Sequence, residues 1–119
     1  MSNQRIVDNS AQRLAALKKC TTLDQFVPLR ASLTGGEIAL KQFDRTSNSW
    51  EPVSYLELND RIVQWRKAFV RLGLQRGTRV SILLNNSVDH VLADQSVLAN
   101  AMIPVPLHAI DTPGSLAFI

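Results

Sequence analysis

Apolar positions keep a helical period from Ser54 to Gly73. Leu58, Ile62, Trp65, Phe69 and Leu72 form one stripe, while Asp60, Arg61, Gln64, Lys67 and Arg71 fall on the other side. Ser54-Tyr55-Leu56-Glu57 ahead of the stripe has the form of a capping box. In it, the hydroxyl accepts a first-turn amide proton and the carboxylate reaches back to the Ser amide. Gly73 can end the helix in a left-handed conformation. The period then changes. Arg79-Val80-Ser81-Ile82-Leu83-Leu84 is continuously apolar at its end, as expected of a strand covered on both faces. Asn86 or Ser87 caps a helix to about Asn100. Its stripe is Val88, Val91, Leu92, Gln95, Leu98, Ala99 and Met102, and Ala93, Val97 and Ala101 make a second, small-residue side. Asn100 is the expected left-handed terminator. Ile103 to Leu107 reads as the next strand. Strand, helix and strand with short links predict a parallel pair. Thr112, with Pro113 at the first helical position, opens a further helix.

The patterning upstream is weaker. Residues 1–9 read as a polar tail, and Ser10 as the cap of a short helix through Cys20 with Leu14 and Leu17 on its apolar side. Thr22-Leu23-Asp24-Gln25 has capping-box form. It predicts a second helix carrying Leu23, Phe26, Val27 and Leu33, with Pro28 in its first turns and Gly35-Gly36 at its end. Glu37–Phe43 and Trp50–Val53, joined by the turn formers Asp44 to Ser49, predict a hairpin. The fold class is α/β: the N-terminal part of a doubly wound, mostly parallel sheet with a small β-hairpin and flanking helices. Residues 1–21 form a tail and short helix, and residues 22–119 one domain portion.

Composition changes this picture little. The 119 residues are 45% hydrophobic and 19% charged, which fits a globular chain rather than a disordered one. The net charge is +3, with Lys and Arg spread along the chain and no run longer than Lys18-Lys19. No basic stripe with interleaved aromatics occurs, so nucleic acid is not an expected partner. The lone Cys20 permits no internal disulfide and fits a reducing, cytoplasmic setting. The N-terminus lacks the apolar core of a signal peptide, and the apolar runs are too short to span a bilayer.

Chemistry-bearing residues are sparse. The strand-to-helix turn Asn85-Asn86-Ser87 has no glycine and cannot form a glycine-rich phosphate loop. Gly73 and Gly77 lie between a helix and a strand, the wrong end for such a loop. His90 and Asp94 are four apart on one helix, beside Asp89, and only His108 and Asp111 could complete a metal site. A solvated helix face explains the pair as well. Cys20 has no His near it in sequence, Ser81 is mid-strand, and no Gly-x-Ser-x-Gly elbow exists. Trp50 and Trp65 read as core rather than as a ligand platform. His108 and Asp111 follow the carboxyl end of a parallel strand, where open α/β sheets place ligands. A hydrogen-bonded loop and a helix cap is the simpler reading of that pair. No catalytic, cofactor-binding or metal residue is assigned in this chain.

Three segments, taken in order, resemble one family. Trp50-Glu-Pro-Val-Ser-Tyr-Leu-Glu-Leu58 is similar to the opening motif of adenylate-forming enzymes, a short strand leading into a Thr/Ser-Tyr-x-Glu-Leu helix start. Val70 to Asn85 resembles the family's next segment, a helix end, two glycines and a strand ending in Asn. Gln95 to Asp111 resembles the motif in which a helix leads to a Val-Pro-Leu strand. Asp111-Thr112-Pro113 is most similar to AMP-forming fatty acyl-CoA synthetases. Thr78 departs from the family's usual Asp, Ala101 from a frequent Gly, and His108 from a frequent Tyr.

The resemblance implies a two-step ligase. ATP and a fatty acid give an acyl-adenylate and pyrophosphate with Mg²⁺, and coenzyme A then takes the acyl group. The family's phosphate-binding loop, metal-binding acid, ribose-binding Asp and C-terminal Lys have no counterpart in these 119 residues, whose matching positions are scaffold. The expectation is therefore an N-terminal fragment, cut before the phosphate-binding loop, that binds no cofactor and is inactive alone. Its expected partner is the remainder of its own AMP-binding domain. Exposed sheet edges and apolar sides would make it self-associate; substrates of the fatty acid kind are compatible with peripheral membrane contact by the whole enzyme, which the sequence itself does not decide. Rival readings are an assembly-line adenylation domain, an aryl-CoA ligase, a stand-alone interaction module, and a small-ligand module with its site at His108 and Asp111.

Overall fold

The structure, a computed structural model, describes residues 2–118, with side chains from Ser10 onward. Its α-helices are α1 (Ser2–Leu17), α2 (Phe26–Thr34), α3 (Tyr55–Arg71), α4 (Val88–Ala99) and α5 (Pro113–Leu116), and its strands are β1 (Ile38–Asp44), β2 (Ser49–Ser54), β3 (Arg79–Ile82) and β4 (Ile103–Pro106). Strands β1 and β2 pair antiparallel, and β3 and β4 pair parallel, Arg79 opposite Ile103 and Ile82 opposite Pro106. The two sheets have two strands each. This is a mixed α/β fold, with the expected hairpin and the expected parallel pair around one helix.

Helix α3 follows its sequence signals closely. The Ser54 hydroxyl accepts the Glu57 amide at 3.1 Å. The other half of the capping box differs, since the Glu57 carboxylate pairs with Arg61 one turn on. The Ser54 neighbourhood is capped by backbone instead. Tyr55 and Leu56 donate their amides to the carbonyls of Glu37 and Gly35, each at 3.0 Å. A Cβ on Gly35 would stand 2.6 Å from the Ala31 carbonyl oxygen and 3.2 Å from the Leu56 Cβ. Gly35 is thus needed because a side chain would clash with the last turn of α2 itself and crowd Leu56 of α3. It does not act through left-handedness, its φ being −55°. Gly73 and Gly77 do adopt left-handed φ, 76° and 79°.

The core is one cluster of Val53, Leu58, Ile62, Val88 and Leu92, with Val27, Ala39, Leu40, Trp65 and Val91 packed against it. Ile82, Ala93, Val97 and Met102 are buried as well, and α4 contacts both β3 and β4. Ser96 is fully buried between these groups. Its hydroxyl bonds the Leu92 carbonyl in its own helix and lies 3.4 Å from the Ile62 carbonyl of α3. A hydroxyl this deep needs such partners, or its desolvation would destabilise the fold.

Several expectations are corrected. Helix α1 spans Ser2–Leu17, so Ser10 lies inside it and residues 2–9 are helical rather than a loose tail. Thr22 precedes a 3-10 turn, Leu23–Gln25, without a side-chain cap. The Gln25 amide oxygen accepts the Thr21 backbone N–H at 2.8 Å instead. The stripe of α2 is largely open, with Leu23, Phe26 and Leu33 exposed. Leu72 lies just past α3 and is 72% exposed. Strand β3 is shorter than expected and covered on one face only. Ile82 is buried, but Ser81, Leu83 and Leu84 are exposed. Asn100 keeps φ −92°, and Ala101 takes the left-handed turn at φ 55°. The Asn100 side chain instead ties α4 to α3, accepting Arg66 Nε at 3.2 Å and donating to the Arg66 carbonyl at 3.1 Å.

The radius of gyration is 17.1 Å, against roughly 13.5 Å for a compact domain of this length. Open apolar residues run along the parallel pair and beyond it: Leu83, Leu84, Ile103, Ile110 and Phe118.

Candidate functional site

In an open α/β sheet the place to look is the carboxyl ends of the parallel strands. Here those ends are the turn from β3 to α4 and the loop from β4 to α5. Pairing runs one residue past β4, where the Leu107 amide donates to the Ile82 carbonyl at 2.9 Å. The chain then folds back on itself. Asp111 accepts the His108 amide through its carboxylate at 3.2 Å, and its own amide donates to the His108 carbonyl at 3.0 Å. Thr112 caps α5, its hydroxyl accepting the Ser115 amide at 3.3 Å. His108 and Asp111 therefore meet through the His108 backbone. They form a turn rather than a ring-to-carboxylate pair, and the cap is Thr112.

The neighbouring loop, from β3 to α4, has two of its donors committed. Ser87 is the cap of α4, and its hydroxyl accepts the His90 amide at 3.2 Å. The Val88 amide, the first of the helix, donates to the Gln42 side-chain oxygen at 2.7 Å. Helix N-termini attract anions because their leading amides lack intrahelical partners. At α4 two of those amides are already satisfied, one by a residue 46 positions away. The His90 ring lies on the same loop, with Nδ1 3.4 Å from the Leu84 carbonyl oxygen.

The remaining candidates separate. Asp94 accepts from the Gln95 side chain at 3.3 Å, and Asp89 is exposed. Among the described residues, no group of three or more His, Cys, Asp or Glu could hold a metal ion. Cys20 is half-buried and lines an apolar groove with Leu23, Phe26, Leu98 and Ala101. Ser81 is exposed on β3. Trp65 packs on the core as expected. Trp50 does not, being 64% exposed on the hairpin, where it meets Phe43 edge-on at 5.5 Å between ring centres. The two rings, Lys41, Arg45 and the Asn86-Ser87 turn line a cleft of about 390 Å³.

Sequence reasoning missed three long-range contacts that fix this frame. One is Gln42 on the start of α4, and another is Asn100 on Arg66. The third is Glu37, which holds Arg13 of α1 at 2.9 Å and Arg30 of α2 at 2.8 Å, with the Arg30 guanidinium 4.5 Å above the Tyr55 ring. None repeats at a helix or strand period, so patterning carries no trace of them. What the site offers is a hydrogen-bonded frame and no reactive constellation among the described residues.

The frame itself matches known structures. The crystal structure of IdnL1 superposes with a TM-score of 0.73 at 25% identity, over 80% of this chain and 19% of that one. A fatty acid AMP ligase from Legionella pneumophila aligns at TM-score 0.71 and 20% identity, over 82% of this chain and 17% of that one. The N-terminal subdomain of NpsA from Klebsiella oxytoca aligns at TM-score 0.72 and 14% identity, over 82% of this chain and 24% of that one. The chain thus spans about a fifth of the length of the solved structures it resembles. No curated protein sequence matches it at a significant level. Residues 29–119 match the AMP-binding enzyme family, beginning within α2 and including the hairpin, the α3–α4 core and the parallel pair. On that match, the chain belongs to the AMP-binding enzyme family.

Proposed function

We propose that this chain is the N-terminal scaffold of an ATP-dependent ligase that activates a fatty acid as its acyl-adenylate and passes the acyl group to coenzyme A. The observation that carries the reading is the family match over residues 29–119. The fatty acid is supported by the Asp111-Thr112-Pro113 pattern and by likeness to a ligase whose name specifies a fatty acid. Coenzyme A as acceptor rests on the resemblance alone.

The residues of this chain do not fit the Mg²⁺-ATP that such a reaction uses. Its strand-to-helix turn lacks glycine and has two amides occupied, and among the described residues no three His, Cys, Asp or Glu cluster as a metal site would need. No chemical step is assigned to them. Their part is positional: α3 and α4 tie the hairpin to the parallel pair, and hydrogen bonds shape the loops after β3 and β4. The open face of that pair is where the remainder of the domain would pack. Residues 1–119 alone are expected to be inactive.

The test uses the full-length protein with ATP, Mg²⁺ and fatty acids of graded length, with products identified by mass. Acyl-adenylate should form, and adding coenzyme A should convert it to the thioester. No adenylate with any fatty acid would sink the substrate reading. Adenylate that persists in the presence of coenzyme A would replace the acceptor.

A further inference from the structure

The charges of this chain are unevenly placed. Residues 61–88 hold six cations, Arg61, Arg66, Lys67, Arg71, Arg76 and Arg79, and no Asp or Glu. The rest of the chain has seven cations against ten acids, so the whole of the net +3 arises in this segment. Arg61 is paired with Glu57. Arg66 is bound to Asn100, and Asp24 lines the cleft on its other side. Lys67, Arg71, Arg76 and Arg79 make no ion pair among the described residues.

The fold gathers these cations with apolar side chains. Val63, Arg66, Lys67, Val70, Arg71 and Asn100 line one shallow cleft of about 460 Å³ where the second half of α3 meets the end of α4. The loop carrying Arg76 is fastened beside it, because Gly77 donates its amide to the Ala101 carbonyl at 2.9 Å, next to Asn100. Val70 is 65% exposed and Leu72 stands open at the helix end.

We propose that this end of α3 is a docking surface for an anionic phospholipid bilayer. Unpaired Lys and Arg side chains are drawn to an anionic leaflet, and adjacent apolar side chains enter the headgroup boundary. Nucleic acid fits less well, because the patch contains no aromatic side chain to stack on bases. The inference stands on charge and exposure here, and does not depend on fatty acid being the substrate.

The experiment is flotation of the full-length protein with phosphatidylcholine vesicles, with and without phosphatidylglycerol. Binding should require phosphatidylglycerol and fade as salt rises, since exposed charges are screened. Lys67→Glu with Arg71→Glu should weaken it at least about tenfold, given a contribution of order 1 kcal/mol per charge. Lys41→Glu with Arg45→Glu changes net charge equally, but at the hairpin beside the other end of α4, and should change binding little. Equal loss in the two variants would overturn the assignment, leaving only a net-charge effect. So would equal binding to neutral vesicles, or binding to polyglutamate but not to vesicles, which would point to an acidic protein. The salt and lipid dependence of the unaltered protein decides the matter even if a variant fails to fold.

Discussion

Helix α4 joins two regions that treat their apolar residues differently. Towards α3 and the hairpin it closes a core, where Leu92 is 3% exposed and Leu58 and Ile62 are 2% and 4%. Towards the parallel pair it buries Ile82, Ala93 and Val97, and beyond them the strands present Leu83 and Ile103 to solvent. The hairpin face is self-sufficient because β1, β2, α2 and α3 all converge on it. The parallel pair has two strands and one helix, while parallel sheets are ordinarily covered on both faces. The difference is one of coverage: the core side is closed by this chain's own elements, and the parallel pair keeps an open apolar face, which the proposed remainder of the domain would cover.

The comparison can be broken most directly by truncation at one site in each region. Leu92→Ala should cost residues 1–119 about 2–5 kcal/mol in urea unfolding, the usual range for a fully buried leucine. Leu83→Ala should cost less than about 1 kcal/mol there, and more in the full-length protein if, as proposed, the remainder of the domain covers the open face. Equal costs in the short chain would remove the distinction. Uncovered apolar strands also favour association, so residues 1–119 should form dimers or larger species in light scattering at high concentration. A clean monomer would count against an open face.

Smaller effects sharpen the closed side. Gln42→Ala should cost about 1 kcal/mol by leaving the first amide of α4 without its acceptor, and should speed hydrogen exchange in that turn. Ala101→Gly should stabilise by about 1 kcal/mol or less. It relieves a left-handed alanine at φ 55°, offset in part by a more flexible unfolded chain. Least of all, Asp44 accepts the Thr46 amide and the Ser47 hydroxyl in the hairpin turn, which lowers its pKa. Its contribution is therefore present above its unfolded value near 4 and lost as pH falls through the lower folded value. The stability difference between Asp44→Asn and the parent should shrink in acid urea titrations below about pH 4.

The elements were legible where one period and one cap agreed. Ser54 with the Leu58–Ile62 stripe gave α3, Thr112-Pro113 gave α5, and the strand–helix–strand order gave the parallel pair. Burial was less legible, because period tells which face is apolar and not whether anything covers it. Trp50, whose type suggests core, is open for that reason, and so are Leu72 of the α3 stripe and Leu23, Phe26 and Leu33 of the α2 stripe. The left-handed position fell one residue from its expected place, at Ala101, where the family resemblance had already marked a missing glycine. Gln42, Glu37 and Asn100 act through contacts distant in sequence, which no local pattern encodes. Of the candidate site, the sequence shows directly that the Asn85-Asn86-Ser87 turn has no glycine, while the backbone turn that joins His108 to Asp111 leaves no periodic trace.

The central claim is that these residues are frame, and that the chemistry needs the rest of the protein. Fatty-acid-dependent exchange of pyrophosphate into ATP tests it most directly, measured on the full-length protein and on residues 1–119. The account predicts exchange with the first and none above background with the second. Exchange by residues 1–119 alone, or no exchange by the full-length protein with any fatty acid, would contradict it.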